Sequence, residues 1–74
     1  MRRWIQADKA RYYQALLVKD MFGEWTLITA WGGLGSQRGG MRSTAVASYE
    51  AGLEQIGEID KRRKSHGYRS IPPA

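Results

Sequence analysis

Residues 11–31 read RYYQALLVKDMFGEWTLITAW, and the rest of the fold is built around them. Residues 11–19 and 24–31 are rich in strand formers, and between them Asp-Met-Phe-Gly at 20–23 is typical of a tight turn. The stretch therefore predicts a β-hairpin in which Gly23 takes a positive φ. Because side chains alternate along a strand, Tyr13, Ala15 and Leu17 share one face of the first strand. On the returning strand, one face carries Trp25, Leu27, Thr29 and Trp31.

Outside the hairpin, shorter strands are predicted on both sides. Residues 3–7 form a candidate first strand, and residues 40–47 alternate in the way that a fourth strand requires. From residue 49 the period changes to that of a helix, with an apolar stripe at Tyr49, Leu53, Ile56 and Ile59. Ser48 is a suitable N-cap and Gly67 a suitable C-terminal stop.

This pattern predicts an α+β domain in which a small antiparallel sheet of three to four or more strands packs against one C-terminal helix. A chain of 74 residues is long enough for one domain, which we assign to residues 3–69. Residues 70–74 contain two prolines and are predicted to form a flexible C-terminal tail. A glycine on or beside the apolar stripe, Gly52 or Gly57, would let the helix approach the sheet closely.

The charge balance favours a polyanionic partner. Twelve Lys and Arg against seven Asp and Glu give a net charge of +5, and the isoelectric point is near 10.0. The basic residues form four groups: Arg2 with Arg3, Lys9 with Arg11, Arg38 with Arg42, and the run from Lys61 to Lys64. The run at 61–64 lies in the last helical turn, where its predicted role is to stabilise the helix dipole while remaining solvated. The alternative is that it also contributes contacts to a polyanion.

Several functional classes lack the residues that they require. The chain has no cysteine and one histidine, so thiol chemistry and a zinc site are not expected. No serine has an identifiable base beside it, and we predict neither an enzyme nor a cofactor. No apolar run approaches membrane-spanning length and the N-terminus lacks a signal peptide's apolar stretch, so we expect a cytoplasmic protein with no membrane partner.

Five of the nine glycines fall within residues 31–40. The segment fails both phosphate-loop templates, because Arg38 stands where the dinucleotide pattern needs a glycine and Met41 where the P-loop needs a lysine. An aromatic plate at Trp31 beside Arg38 and Arg42 suits a sugar or base face together with phosphates. The alternative is that Trp31 caps the core and the glycines permit a tight turn.

The order of several short motifs resembles the WGR domain, a family named for its Trp-Gly-Arg motif. The motifs are Arg11-Tyr12-Tyr13, residues 16–20, Phe22-Gly23-x-Trp25-x-Leu27, Trp31-Gly32-x-Leu34-Gly35 and Gly67-Tyr68-Arg69. The family occurs in DNA-dependent poly(ADP-ribose) polymerases and in bacterial proteins, some little larger than the domain. The resemblance covers residues 3–69 and implies the same small sheet with a flanking helix.

The resemblance implies nucleic-acid binding at the sugar-phosphate backbone, with DNA favoured over RNA. Trp31 and Gly32 match the motif, whereas Gly33 replaces its arginine and brings no charge. The candidate binding residues are Trp31, Gly32, Gly33, Arg38, Arg42, Lys9 and Arg11. The alternative is a protein-interaction module, a homodimer or the partner of a DNA-processing enzyme, that has lost DNA binding.

Overall fold

A computed structural model describes residues 1–72 and contains five strands and one helix. The elements are β1 (Arg2–Gln6), β2 (Arg11–Lys19), β3 (Trp25–Gly33), β4 (Gly39–Val46), α1 (Tyr49–Ser65) and β5 (Arg69–Ile71), with a short 3₁₀ turn at Ala7–Lys9. The strands form one sheet in the order β4-β3-β2-β1-β5, and every neighbouring pair is antiparallel. The predicted α+β class, with one helix on a small antiparallel sheet, is confirmed.

The predicted hairpin is formed by β2 and β3 and lies in the interior of the sheet. Leu17 is opposite Leu27, so the Leu17 side of β2 and the Leu27 side of β3 belong to the same face of the sheet. The turn is held by the Asp20 carboxylate, which accepts hydrogen bonds of 2.9 Å from the backbone N–H groups of Phe22 and Glu24. Gly23 has φ +82°, the left-handed conformation that favours glycine.

The helix packs on that same face with only part of the predicted stripe, since Ile56 lies in the core and Ile59 packs against it. Tyr49 and Leu53 are 44% and 46% exposed, whereas Gly52 and Ile56 are buried. A Cβ at Gly52 would lie 2.5 Å from Leu17 Cδ1, so the leucine fills the space above the glycine. This close approach turns Gly52 toward the sheet and Leu53 outward. The prediction of a glycine-mediated approach is therefore confirmed at Gly52, while Gly57 faces open space.

The hydrophobic core is small and centres on Trp4, which is completely buried. Ala15, Leu27 and Ile56 are the other buried residues of this core. The indole N–H of Trp4 donates to Asp60 on the helix at 2.9 Å. Asp60 also pairs with Arg2 at 3.1 Å and Lys64 at 3.0 Å. These hydrogen bonds, first that of Trp4 and then that of Lys64, lower the pKa of Asp60 below its ordinary value of 3.8.

The prediction of a flexible tail from residue 70 is wrong for Ser70 and Ile71. They belong to β5, which pairs with β1 and places Ser70 opposite Trp4. The positive φ of Gly67, +86°, ends the helix and turns the chain back toward the open edge of β1. Residues 73 and 74 lie outside the described part of the chain. From residue 1 to residue 72, no helix has the length and apolar character needed to cross a membrane.

Candidate nucleic-acid interface

A cleft of about 560 Å³ opens between the C-terminal end of α1 and the β2–β4 part of the sheet. Its described lining consists of Arg11, Tyr12, Tyr13, Thr29, Trp31, Gly32, Gly33, Arg38, Gly39, Arg42, Arg63 and Tyr68. Most of the cleft lies on the helix-bearing face of the sheet, where Tyr13 is opposite Trp31. It also reaches Tyr12 and Gly32, a pair on the other face near the end of these strands.

Two stacked aromatic rings line the cleft. Tyr13 and Trp31 are direct partners across β2 and β3, and their ring planes lie 14° apart with centroids separated by 6.1 Å. Trp31 is opposite Gly40 on β4, where a Cβ would lie 2.5 Å from the indole. Because glycine leaves this space free, the indole lies flat against β4 and its ring stacks with Tyr13.

The helix contributes Arg63 and, just beyond its end, Tyr68. The Tyr68 N–H donates to the Arg63 carbonyl at 2.9 Å, and the Gly67 N–H donates to the Lys64 carbonyl at 3.1 Å. This pair of bonds is a Schellman motif, which requires the positive φ of Gly67. The motif holds Tyr68 beside Arg63, whose guanidinium carbon is 5.2 Å from the Tyr68 ring centroid and 4.6 Å from that of Tyr13.

Three further arginines line the cleft from the sheet and its loop. Arg11 is opposite Gly33, Arg42 is opposite Thr29 on the same face, and Arg38 lies in the loop between β3 and β4. No acidic side chain is among the described lining residues. Within residues 1–72, no carboxylate lies within 4.0 Å of any of the four arginines. Like charges gathered in a concave surface concentrate positive potential, which attracts anions.

Six of the seven candidate residues line the cleft together: Trp31, Gly32, Gly33, Arg38, Arg42 and Arg11. Lys9 lies apart, in a neighbouring pocket that shares Arg11, Arg63 and Tyr68 with the cleft. The structure bears on the alternative interpretation, in which Trp31 caps the core beside glycines. Glycines do pack closely against it, but the indole is half-buried and lies outside the buried core.

Six further lining residues were not among the candidates from the sequence: Tyr12, Tyr13, Thr29, Gly39, Arg63 and Tyr68. Arg63 was predicted to be solvated with the rest of the run at 61–64, but it is partly buried and its Nε has no hydrogen-bond partner among the described atoms. The separation of Arg63 from the apolar residues of the helix nevertheless indicated its position. Arg63 is seven residues after Ile56 and therefore shares the sheet-facing side of the helix.

Comparison with known proteins agrees with this architecture. The family model of the WGR domain matches residues 2–74. No curated protein and no solved structure matches the chain. The WGR domain is a nucleic-acid-binding type of module rather than a catalytic domain. Since the match extends over nearly the whole sequence, the chain belongs to the WGR domain family.

Proposed function

We propose that this chain is a non-catalytic module that binds the sugar-phosphate backbone of DNA largely without regard to sequence. One observation carries the proposal: four arginines and a stacked Trp–Tyr pair share one cleft, and no described lining residue is acidic. Arginine forks suit phosphate oxygens, and an aromatic face suits a sugar or an end base.

Each type of residue in the cleft contacts a different part of the nucleic acid. Trp31 packs against a sugar or an end base, while Arg38 and Arg42 neutralise phosphates on the β4 side of the cleft. Arg11 and Arg63 extend the positive surface, and Lys9 continues it into the neighbouring pocket. Phosphate contacts carry no base information, so this division accounts for sequence independence. The preference for DNA over RNA rests on the family.

At Gly33, where the family motif has an arginine, the neighbouring loop packs against the glycine. A Cβ at Gly33 would lie 3.2 Å from the Ser36 Cβ, so Ser36 occupies the space where a side chain would begin. The Ser36 hydroxyl accepts a 3.0 Å hydrogen bond from the Arg38 N–H. The residue that packs against Gly33 thus holds the loop that carries Arg38. This coupling supports Arg38 as the replacement for the charge that position 33 lacks.

The test is fluorescence anisotropy with labelled blunt, nicked and single-stranded DNA, and with an RNA duplex as comparator. If about three to five phosphates are contacted, log K should fall with log salt at a slope of roughly −3 to −4.5 on duplex DNA. An affinity that does not change with salt would contradict backbone binding.

Matched variants locate the site. Trp31→Ala, Arg38→Ala and Arg42→Ala should each weaken binding, while Lys61→Ala, which removes the same charge from a side chain that is 79% exposed, should not. Circular dichroism checks that each variant folds. Binding that ignores the cleft variants would move the site to another basic cluster. No binding at low salt would favour the alternative, a protein-interaction module in which Gly33 marks a lost DNA site.

A further inference from the structure

The face of the sheet opposite α1 is largely apolar, with the uncharged polar side chains of Gln14, Thr26 and Ser43 among its residues. Its central pairs are Leu16 opposite Ile28, Val18 opposite Thr26, and Ala30 opposite Met41. On the β1 side, Ile5 is opposite Tyr12. None of the described elements packs on this face, because the one helix lies on the other side. We refer to this surface as the outer sheet face.

An antiparallel sheet with one solvated face normally alternates apolar and polar residues. Strand β2 instead reads Ala-Leu-Leu-Val over residues 15–18, and β3 reads Leu-Ile at 27–28. Continuous apolar runs of this kind are typical of strands that are covered on both faces. The pattern therefore indicates that the outer sheet face is covered by something besides water.

Charge on the strands of the outer sheet face is confined to one side. By the strand register, its described charged residues are Arg3 on β1 and Arg69 on β5. Arg3 lies over the Tyr12 ring, with 5.3 Å between its guanidinium carbon and the ring centroid. The centre is uncharged, and on the β4 side Arg38, in the loop before the strand, lines a shallow pocket with Tyr12, Ala30 and Met41. A flat apolar centre without charge is complementary to a copy of itself, since no like charges are brought together there.

We propose that a second copy of this chain covers the outer sheet face, sheet against sheet. With a twofold axis parallel to the central strands, the β1–β5 side of one copy lies over β4 of the other. Arg3 and Arg69 then face an uncharged strand. Aligned packing of two sheets, about 30° apart, is a common arrangement.

The area is sufficient for a weak dimer. Five strands about 4.8 Å apart, with central strands about 30 Å long, present roughly 600 Å² of sheet face per copy. The pair would bury about 1,200 Å², at the lower limit for specific complexes. A dissociation constant in the micromolar range is therefore expected.

The dimer has a consequence that rests on the proposed function. Most of each cleft lies on the helix-bearing face, so two copies joined by their outer sheet faces direct their clefts away from each other. Such a dimer would hold two DNA segments on opposite sides, whereas a monomer would hold one.

Sedimentation velocity from about 1 to 200 μM tests the dimer, because this range brackets a micromolar dissociation constant. Wild type should pass from one chain of 8.4 kDa to two. Leu16→Glu should weaken dimerisation at least about tenfold, since it buries charge at the centre of the interface. Leu53→Glu is the control, because Leu53 is 46% exposed and lies on the helix.

If Leu16→Glu fails to fold, Met41→Glu serves in its place, because Met41 is 72% exposed and accepts a charge in the monomer. A wild type that stays monomeric across this range overturns the proposal. A dimer that withstands a glutamate on the outer sheet face, or that Leu53→Glu disrupts equally, also overturns it.

A bridging assay separates this inference from the proposed function. Biotinylated and fluorescent DNA duplexes are mixed with protein and captured on streptavidin. Wild type should retain fluorescence, while Leu16→Glu should bind a single duplex normally but retain no fluorescence. If wild type binds no duplex at all, the proposed function fails, and sedimentation still decides whether the dimer exists.

Discussion

Arg63 is the residue whose environment most clearly indicates a ligand. Its guanidinium lies beside Tyr13 and Tyr68, and the buried Nε lacks a hydrogen-bond partner within the described structure. A buried donor without an acceptor costs about 1–3 kcal/mol. Arg63 also lines the cleft, where an anion would bring hydrogen-bond acceptors to the part of the guanidinium that faces it. Arg63 is therefore expected to contribute to DNA affinity more than its exposed neighbours.

Replacing Arg63 with alanine should weaken duplex binding about tenfold, the effect of losing one charge-assisted hydrogen bond. The slope of log K against log salt should become shallower by about 0.9, since one phosphate contact is lost. Arg62→Ala is the matched control, because Arg62 is exposed and is not among the cleft-lining residues. Salt titrations by anisotropy provide both numbers. Equal effects of the two substitutions would remove Arg63 from the site.

Asp60 links the helix to β1 and gives stability that depends on pH. Its lowered pKa means that the native state favours the ionised carboxylate, so its contribution is complete above the ordinary value of 3.8. The contribution is lost as the pH falls through the lowered pKa. Asp60→Asn should therefore reduce the free energy of unfolding by about 1–2 kcal/mol at pH 7, and by progressively less below pH 4.

Urea unfolding of both proteins between pH 2 and 7 measures the difference. Glu58→Gln is the control, because Glu58 is 72% exposed and meets only Lys61, at 3.9 Å, among the described residues. Its effect should stay below about 0.5 kcal/mol. A difference between wild type and Asp60→Asn that persists unchanged at the lowest pH would argue against the carboxylate as its source.

At the scale of elements, the end of α1 couples stability to the site. The Schellman motif needs the left-handed conformation of Gly67, and it holds Tyr68 against Arg63. Gly67→Ala should reduce the free energy of unfolding by about 1 kcal/mol and weaken DNA binding, because Tyr68 then loses its position. Thermal unfolding and anisotropy measure the two effects.

Gly57→Ala is the matching glycine variant. Gly57 lies inside α1, and an added Cβ there meets open space. The substitution should raise the free energy of unfolding by up to about 1 kcal/mol and leave DNA binding unchanged. If both variants altered DNA affinity to the same degree, the Schellman motif would have no special part in the site.

Elements with a strong local period were predictable, and elements without one were not. The hairpin over 11–31 and the helix from residue 49 follow from alternation, turn chemistry and capping within a few residues. Strand β5 has three residues and pairs with β1 at the other end of the chain. Such a pairing depends on a free edge nearby in space, which no local pattern records.

For the molecule as a whole, the proposed DNA contacts lie at one end of the β2–β3 hairpin. The cleft is formed where β3 ends and β4 begins, while the Asp20–Gly23 turn is at the opposite end of these strands. DNA should therefore slow hydrogen exchange in residues 31–40 and 62–68 and leave residues 20–24 unchanged. Hydrogen-exchange mass spectrometry with and without duplex checks this. Greater protection at the turn would contradict the placement of the site.

The α+β class, the hairpin over 11–31 and six residues that line the cleft were predictable, because alternation, helical period and the WGR-like order of motifs are local properties of the sequence. Tertiary packing, by contrast, brings Arg63 and Tyr68 to the cleft that holds Trp31 and leaves Lys9 outside it. The reason is that the helical period places Arg63 on the same side of α1 as Ile56, whereas the fit of Gly52 against Leu17 fixes how that side meets the sheet. That one close approach turns Leu53 outward and Arg63 into the cleft.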